Sequence, residues 1–194
     1  SLIQIPVMQV SASDAAILMQ HLNKPVSIEN RLPPLLDGSF DAGIICHEYG
    51  HGISNRLTGG PSNVSCLDNA EQAGEGWSDY FGLFMTSRPS DYPYLNRGVG
   101  TWPSGHPQAG IGVRPTPYNV DLKIDPADYS QLNDLQIISQ PHGIGYIWCS
   151  MLWDLHWAFI KTYGNEQNVY NSGSSKGNIK VARLVMEGLK LQTC

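Results

Sequence analysis

The sequence predicts a mainly α chain with a short α/β segment at its start. Downstream of residue 40, apolar residues recur at helical spacing in several stretches bounded by glycine, proline or turn residues. Strand-like runs, by contrast, are confined to the first thirty residues. The composition agrees: 20 glycines, 13 prolines and only 15% charged residues in 194 positions exclude a coiled coil, a charged helical array and a charge-rich disordered tail. A net charge of −5 with 12 Lys and Arg leaves no basic footprint, so neither nucleic acid nor a membrane is an expected partner.

Taken in order, Ile3 to Val10 reads as a strand. Ser11-Ala12-Ser13-Asp14 reads as the cap of a short helix through Leu22, and Pro25-Val26-Ser27-Ile28 as a second strand. Residues 31–40, with paired Pro33-Pro34 and an Asp37-Gly38 turn, read as a linker. The body of the chain is therefore expected at 41–194. Its first helix runs from Asp41 to Leu57, with Ile45, Tyr49 and Ile53 on one side, and Gly59-Gly60-Pro61 stops it. The second runs from Asn69 to Ser87, ahead of Pro89. Residues 89–140 are rich in turn-formers and have no sustained period, and a stretch that long is more often functional than idle.

The third helix runs from Pro141 to Tyr163, with Ile144, Ile147, Trp148, Met151, Leu155 and Phe159 as an apolar stripe and Gly164 as its C-terminal cap. It is the least charged part of the chain, yet His142, Asp154 and His156 make it a buried amphipathic helix and not a membrane span. The fourth runs from Lys176 to Leu191. The four cysteines, Cys46, Cys66, Cys149 and Cys194, show no metal-binding spacing, and their pairing is open at this point.

Chemistry concentrates in Cys46-His47-Glu48-Tyr49-Gly50-His51, an H-E-x-x-H. On a helix, residues four apart share a face, so His47 and His51 can aim two imidazoles at one point. Two imidazoles suit Zn²⁺, and Glu48, about a hundred degrees round the helix, is placed to take a proton from water there. A catalytic zinc needs a third protein ligand and one open position. Glu75 and Asp79, again four apart, can both face the first helix. One of these carboxylates can bind the metal while the other accepts the outer N–H of a ligand histidine. Gly50, Gly52, Gly74 and Gly76 flank these residues and are expected to let the two helices approach closely.

The run from Asp41 to Asn63, followed by Gly74-Glu75-Gly76-Trp77-Ser78-Asp79, closely resembles the fungalysin family of secreted zinc metallopeptidases. The likeness continues through Gly112-Val113-Arg114-Pro115, Pro141-His142-Gly143-Ile144-Gly145, Met151-Leu152-Trp153-Asp154-Leu155 and Glu187-Gly188-Leu189-Lys190-Leu191-Gln192. It covers the chain from about residue 37 onward and is nearer to bacterial members than to fungal ones. The resemblance implies the C-terminal helical subdomain of a thermolysin-like zincin and endopeptidase activity on proteins or peptides. It places one catalytic Zn²⁺ on His47, His51 and Glu75, with Glu48 as general base and Asp79 behind a ligand histidine. It also implies a secreted, extracellular protein whose precursor supplies the remainder of the catalytic domain. A second resemblance, of Ile5-Pro6-Val7-Met8-Gln9-Val10 and the helix after it, is to the end of a protease-associated (PA) domain and covers residues 1–30.

Thermolysin-like enzymes stabilise the transition state with a histidine and a tyrosine. His142 at the start of the third helix is the candidate here, since a helix N-terminus favours an anion. Capping or a satisfied core position is the alternative for His142. Tyr146, one turn on, is its candidate companion, and Arg114 is either a grip on a substrate carbonyl or a structural residue. His21, His106 and His156 read as structural, and Trp77, Trp148, Trp153 and Trp157 as core. A reading of another class is a non-catalytic extracellular module, metal-holding or protein-binding, of peptidase-like fold.

Overall fold

The computed structural model describes residues 36–69, 73–133 and 139–194. The strand, helix and PA-like reading of residues 1–30, and most of the linker, lie outside the described residues. Within them the chain is mainly α: helices α1 (Ala42–Leu57), α2 (Gly74–Met85), α3 (His142–Tyr163) and α4 (Gly177–Leu191). Two short 3-10 turns, Gly38–Phe40 and Tyr129–Asn133, accompany them. No sheet forms among the described residues; two isolated bridges, Arg97 with Tyr118 and Val99 with Gly112, are the only β pairings there.

Helix α1 starts where Asp41 caps it, its Oδ1 accepting from the N–H groups of Gly43 (2.8 Å) and Ile44 (3.2 Å). It ends at Thr58, followed by Gly59 and Gly60 with φ of 69° and 92°, a conformation glycine adopts without strain. Helix α2 begins at Gly74, later than its periodicity suggests; it follows a turn region that includes Asp68 N–H to Ser65 O (3.1 Å). Gly164, with φ 78°, closes α3 and donates to Ile160 O (2.8 Å). No helix among the described residues is long and apolar enough to cross a membrane.

Helix α2 is the centre of the body: every residue from Gly76 to Phe84 is buried, as for a helix surrounded by partners on all sides. Its Trp77, Tyr80, Phe81, Leu83 and Phe84 pack with Ile144, Ile147, Leu152, Trp153 and Trp157 of α3 and Ile179, Val181, Val185 and Leu189 of α4. Trp148 is partly buried against the same core, and His156 is buried, bonded to Tyr80 Oη (3.2 Å) and stacked on Trp153. The expected apolar stripes need correction. On α1, Ile45 and Tyr49 are 54% and 75% exposed, and the buried face is instead His47, Gly50 and Ser54. On α3, Met151 and Leu155 are also exposed. In α1 the inward face is chosen by small residues that admit α2 and by a histidine that needs a carboxylate.

The glycines locate the close approaches. A Cβ on Gly50 would stand 2.8 Å from Ser78 Cα, so Gly50 joins α1 to α2. Gly76, expected to serve the same contact, faces α3 instead: its Cβ would lie 2.4 Å from Gly145 O. Gly52 has open space around it and Gly74 only ordinary contacts, so neither sets the spacing. Gly145, which the sequence did not single out, is the tightest partner of α2, with a Cβ position 2.4 Å from Glu75 Cβ and 2.6 Å from Gly76 N.

A disulfide joins Cys66, in the α1–α2 connection, to Cys194 across 128 residues of sequence; Cys46 and Cys149 are free thiols. A loop of that length corresponds to about 5 kcal/mol of lost unfolded-state entropy.

Gly145→Ala is expected to wedge α3 away from α2 and to destabilise the fold by about 1–3 kcal/mol. Gly188→Ala, in an open position on α4, is expected to stabilise it by roughly 0.5–1 kcal/mol. Urea denaturation of the two variants side by side checks the contrast.

Candidate metal centre

Helix α1 presents His47 and His51 one turn apart, and the first turn of α2 presents Glu75 toward them. His47 Nε2 and His51 Nε2 are 3.1 Å apart. Glu75 brings Oε2 to 3.3 Å from the first and Oε1 to 3.5 Å from the second. These three side chains form the group, among the described residues, whose donor atoms all converge within 4.8 Å. A tetrahedral ion with bonds of about 2.1 Å separates neighbouring ligand atoms by about 3.4 Å; each of these distances is close to that value, the two Glu75 distances being to its two different oxygens. The donor set of two imidazoles and one carboxylate, with the fourth position left open, could hold Zn²⁺.

Asp79, one turn along α2 from Glu75, is fully buried. Its Oδ1 accepts from His47 Nδ1 (2.7 Å) and from Arg114 Nη2 (2.9 Å). Its Oδ2 accepts from Arg114 Nε (2.6 Å) and from the Tyr118 hydroxyl. Both oxygens are thus doubly satisfied, which is what a buried carboxylate requires. Arg114 Nη2 also reaches Glu75 Oε2 (3.1 Å), so a single guanidinium ties both carboxylates together.

The electrostatics follow from these contacts. Burial works against a charged His47, but its hydrogen bonds to Asp79 and Glu75, and their charges, prevail and hold its pKa up at about 9. Burial would raise Glu75; the His47 hydrogen bond and the nearby His142, His47 and His51 overcome it and bring Glu75 down to about 2. Asp79 is likewise lowered against its burial, by His47 and Arg114. His51 is lowered, first by burial and then by the charge on His47. Burial opposes the charge on Arg114 too, yet Asp79 raises its pKa further. The raised His47 and lowered His51 favour His47 as the donor in the contact between the two Nε2 atoms.

Glu48 is exposed beside the cluster, near enough for its charge to act on His51. His142, the first residue of α3, is 58% exposed and sets Nε2 3.4 Å from Glu75 Oε1. Arg114 is buried, within the hydrogen-bond network behind the histidines. The Tyr146 hydroxyl is engaged elsewhere: it bonds Thr116 Oγ1 (2.6 Å) and the buried Asp125 carboxylate, which also accepts from Ser150 Oγ (2.9 Å). The structure therefore gathers His47, His51, Glu75, Asp79, Arg114 and His142 around one point, with Glu48 at the rim and Tyr146 in a separate network. Tyr118 and Asp125 were not visible to sequence reasoning, since both lie in the aperiodic stretch 89–140 with no local motif. An apolar cavity of about 980 Å³ between Leu67, Trp77, Ile144, Trp148 and Leu191 is lined by none of the clustered residues.

Two histidines and a carboxylate converge from two helices, with a buried acid behind one histidine, as a group that could hold a metal ion. The chain belongs to the fungalysin metallopeptidase (M36) family, whose sequence profile matches residues 25–194. It is 38% identical over 167 residues to extracellular metalloproteinase 3 of Arthroderma gypseum, covering 83% of this chain and 25% of that protein. It is 39% identical over 167 residues to extracellular metalloproteinase mep of Aspergillus fumigatus, with the same coverage. It is 38% identical over 173 residues to extracellular metalloproteinase 1 of Trichophyton equinum, covering 86% and 27%. The chain thus spans about a quarter of the length of these relatives. They are fungal, which corrects the expected affinity to bacterial members.

Removing Arg114 leaves the Asp79 carboxylate buried without its fork. Arg114→Met is expected to cost about 3–5 kcal/mol, and Arg114→Lys to recover only part of it because lysine lacks the two-pronged geometry. Chemical denaturation of the metal-free protein measures both.

Proposed function

We propose that residues 41–194 carry the zinc centre of a secreted, extracellular metalloendopeptidase that hydrolyses peptide bonds in proteins. The observation that supports this best is the convergence of the His47, His51 and Glu75 donor atoms within 4.8 Å of one another, in a chain of the fungalysin family. The names of the relatives, all extracellular metalloproteinases, and the Cys66–Cys194 bridge support the location. In this reading the helical body is the C-terminal helical subdomain of a thermolysin-like catalytic domain, whose remainder completes the substrate cleft.

His47, His51 and Glu75 would hold the ion, which when bound would supply Lewis acidity toward a peptide carbonyl and toward water. Asp79 fixes the His47 tautomer by accepting a hydrogen bond from Nδ1–H, leaving the Nε2 lone pair free for the ion. Arg114 bridges the buried Asp79 and the half-buried Glu75 and offsets part of their charge; any contact it makes with a substrate carbonyl is secondary to that. Glu48, exposed and not a ligand, takes the proton of the attacking water and returns it to the departing amine nitrogen. His142, exposed next to Glu75 at a helix N-terminus, is the group placed to steady the developing oxyanion. Tyr146 supports it indirectly, through the Thr116 and Asp125 contacts that fix the first turns of α3.

A module that only held metal would have no use for an unligated base, and Glu48 separates the two readings. In the full-length protease, Glu48→Gln is expected to retain its metal and to lose proteolysis by about 10²–10⁴-fold. Casein digestion with and without chelator, alongside metal analysis, reads both. Unchanged turnover in the variant overturns the role of Glu48, and chelator-insensitive digestion overturns the metal mechanism.

Binding the ion requires a neutral His47. Because its metal-free pKa is raised to about 9, while Glu75 and Asp79 are lowered and His51 is lowered, only His47 has a proton to give up at pH 7. Calorimetry in buffers of different ionisation enthalpy is expected to show about one proton released per ion at pH 7 and almost none well above pH 9. Metal affinity should accordingly climb with pH across that window.

A further inference from the structure

The sequence contains one Asn-x-Ser/Thr triplet with no proline at its centre, Asn63-Val64-Ser65. It falls in the connection between α1 and α2, and all three residues are exposed, Val64 at 45%. The backbone there is a series of turns, with Asn63 N–H bonded to Gly60 O (3.2 Å) and Asp68 N–H to Ser65 O (3.1 Å). Nothing in the proposed chemistry uses these residues. An exposed sequon on a turn is the form in which an asparagine accepts an N-linked glycan in a secreted protein.

We propose that Asn63 is an N-glycosylation site, modified during export before the Cys66–Cys194 bridge closes. The step joins Asn63 Nδ2 to C1 of an oligosaccharide carried on a lipid pyrophosphate. The N–C1 bond forms as the C1–O bond to pyrophosphate breaks, the lipid pyrophosphate leaves with the electron pair, and Nδ2 gives up one proton. The order follows from two distances, one along the chain and one in space. Cys66 lies three residues after Asn63, but its partner Cys194 lies 131 residues after it, so the sequon is exported well before the bridge can form. Once the bridge is closed, Asn63 Nδ2 donates to Cys194 Sγ at 3.1 Å, and the acceptor nitrogen is drawn onto the disulfide.

This inference rests on export through a eukaryotic secretory route and is independent of the metal site. The test expresses the full-length protein in yeast behind a host leader sequence, and examines both secreted and retained pools. Peptide mass mapping before and after enzymatic glycan removal, which converts a modified asparagine to aspartate, reads Asn63. The expected result is a glycan on Asn63 that is lost in Asn63→Gln and Ser65→Ala and kept in Ser65→Thr. An unmodified Asn63 in both pools overturns the site. Cys194→Ser, which prevents closure, should leave occupancy at or above that of the parent; a fall in occupancy overturns the proposed order. Casein digestion by the same preparations keeps the outcomes apart, because loss of the glycan with proteolysis intact bears only on this site, and an inactive but glycosylated protein bears only on the function.

Discussion

A carboxylate buried without access to water must find a proton donor for each of its lone pairs, and Asp79 does so by drawing together three parts of the chain. His47 comes from α1, while Arg114 and Tyr118 come from the long aperiodic stretch, and all of them end on two oxygens of one fully buried side chain. Burial alone would leave the acid protonated, and a protonated Asp79 could not hold the His47 ring in one tautomer. The histidine and guanidinium partners outweigh the burial and keep it charged. The described residues 89–133 have little regular structure of their own, and they deliver two of these donors to α2.

Helix spacing is the second constraint. Asp79 and Glu75 reach α1 only because Gly50 lets Ser78 lie against the α1 backbone, and Glu75 is backed by α3 only because Gly145 has no side chain to hold it off. The same approach carries His142 to within 3.4 Å of Glu75. Packing and chemistry are thus one problem here: the core of Trp77, Tyr80, Phe84, Trp153 and Trp157 fixes α2 against α3, and the polar cluster lies where α1 packs on α2.

Much of the candidate site was legible in the sequence, for a local reason. His47 with His51 and Glu75 with Asp79 are pairs four residues apart, so the helix repeat alone places each pair on one face. The helix limits were legible where a cap or a glycine marked them, as at Asp41 and Gly164, and less so at the start of α2, where turns beside Cys66 intervene. Apolar periodicity misled for α1. Its stripe of Ile45 and Tyr49 faces outward, because the burial of that helix is decided by glycine, serine and histidine. The bacterial affinity also did not hold against the fungal relatives.

What the sequence determined by itself was therefore whatever depends on neighbours within a turn or two: four helices, an H-E-x-x-H and a paired acid with matching spacing, and membership of a metallopeptidase family. The tertiary structure alone decided which acid faces which histidine, that Arg114 lies behind the cluster, that Tyr146 bonds Asp125, and that Cys66 pairs with Cys194. Each of these joins residues from 21 to 128 positions apart. At such separations no repeat along the chain fixes the partner, and only the close packing of α2 against α1 and α3 does.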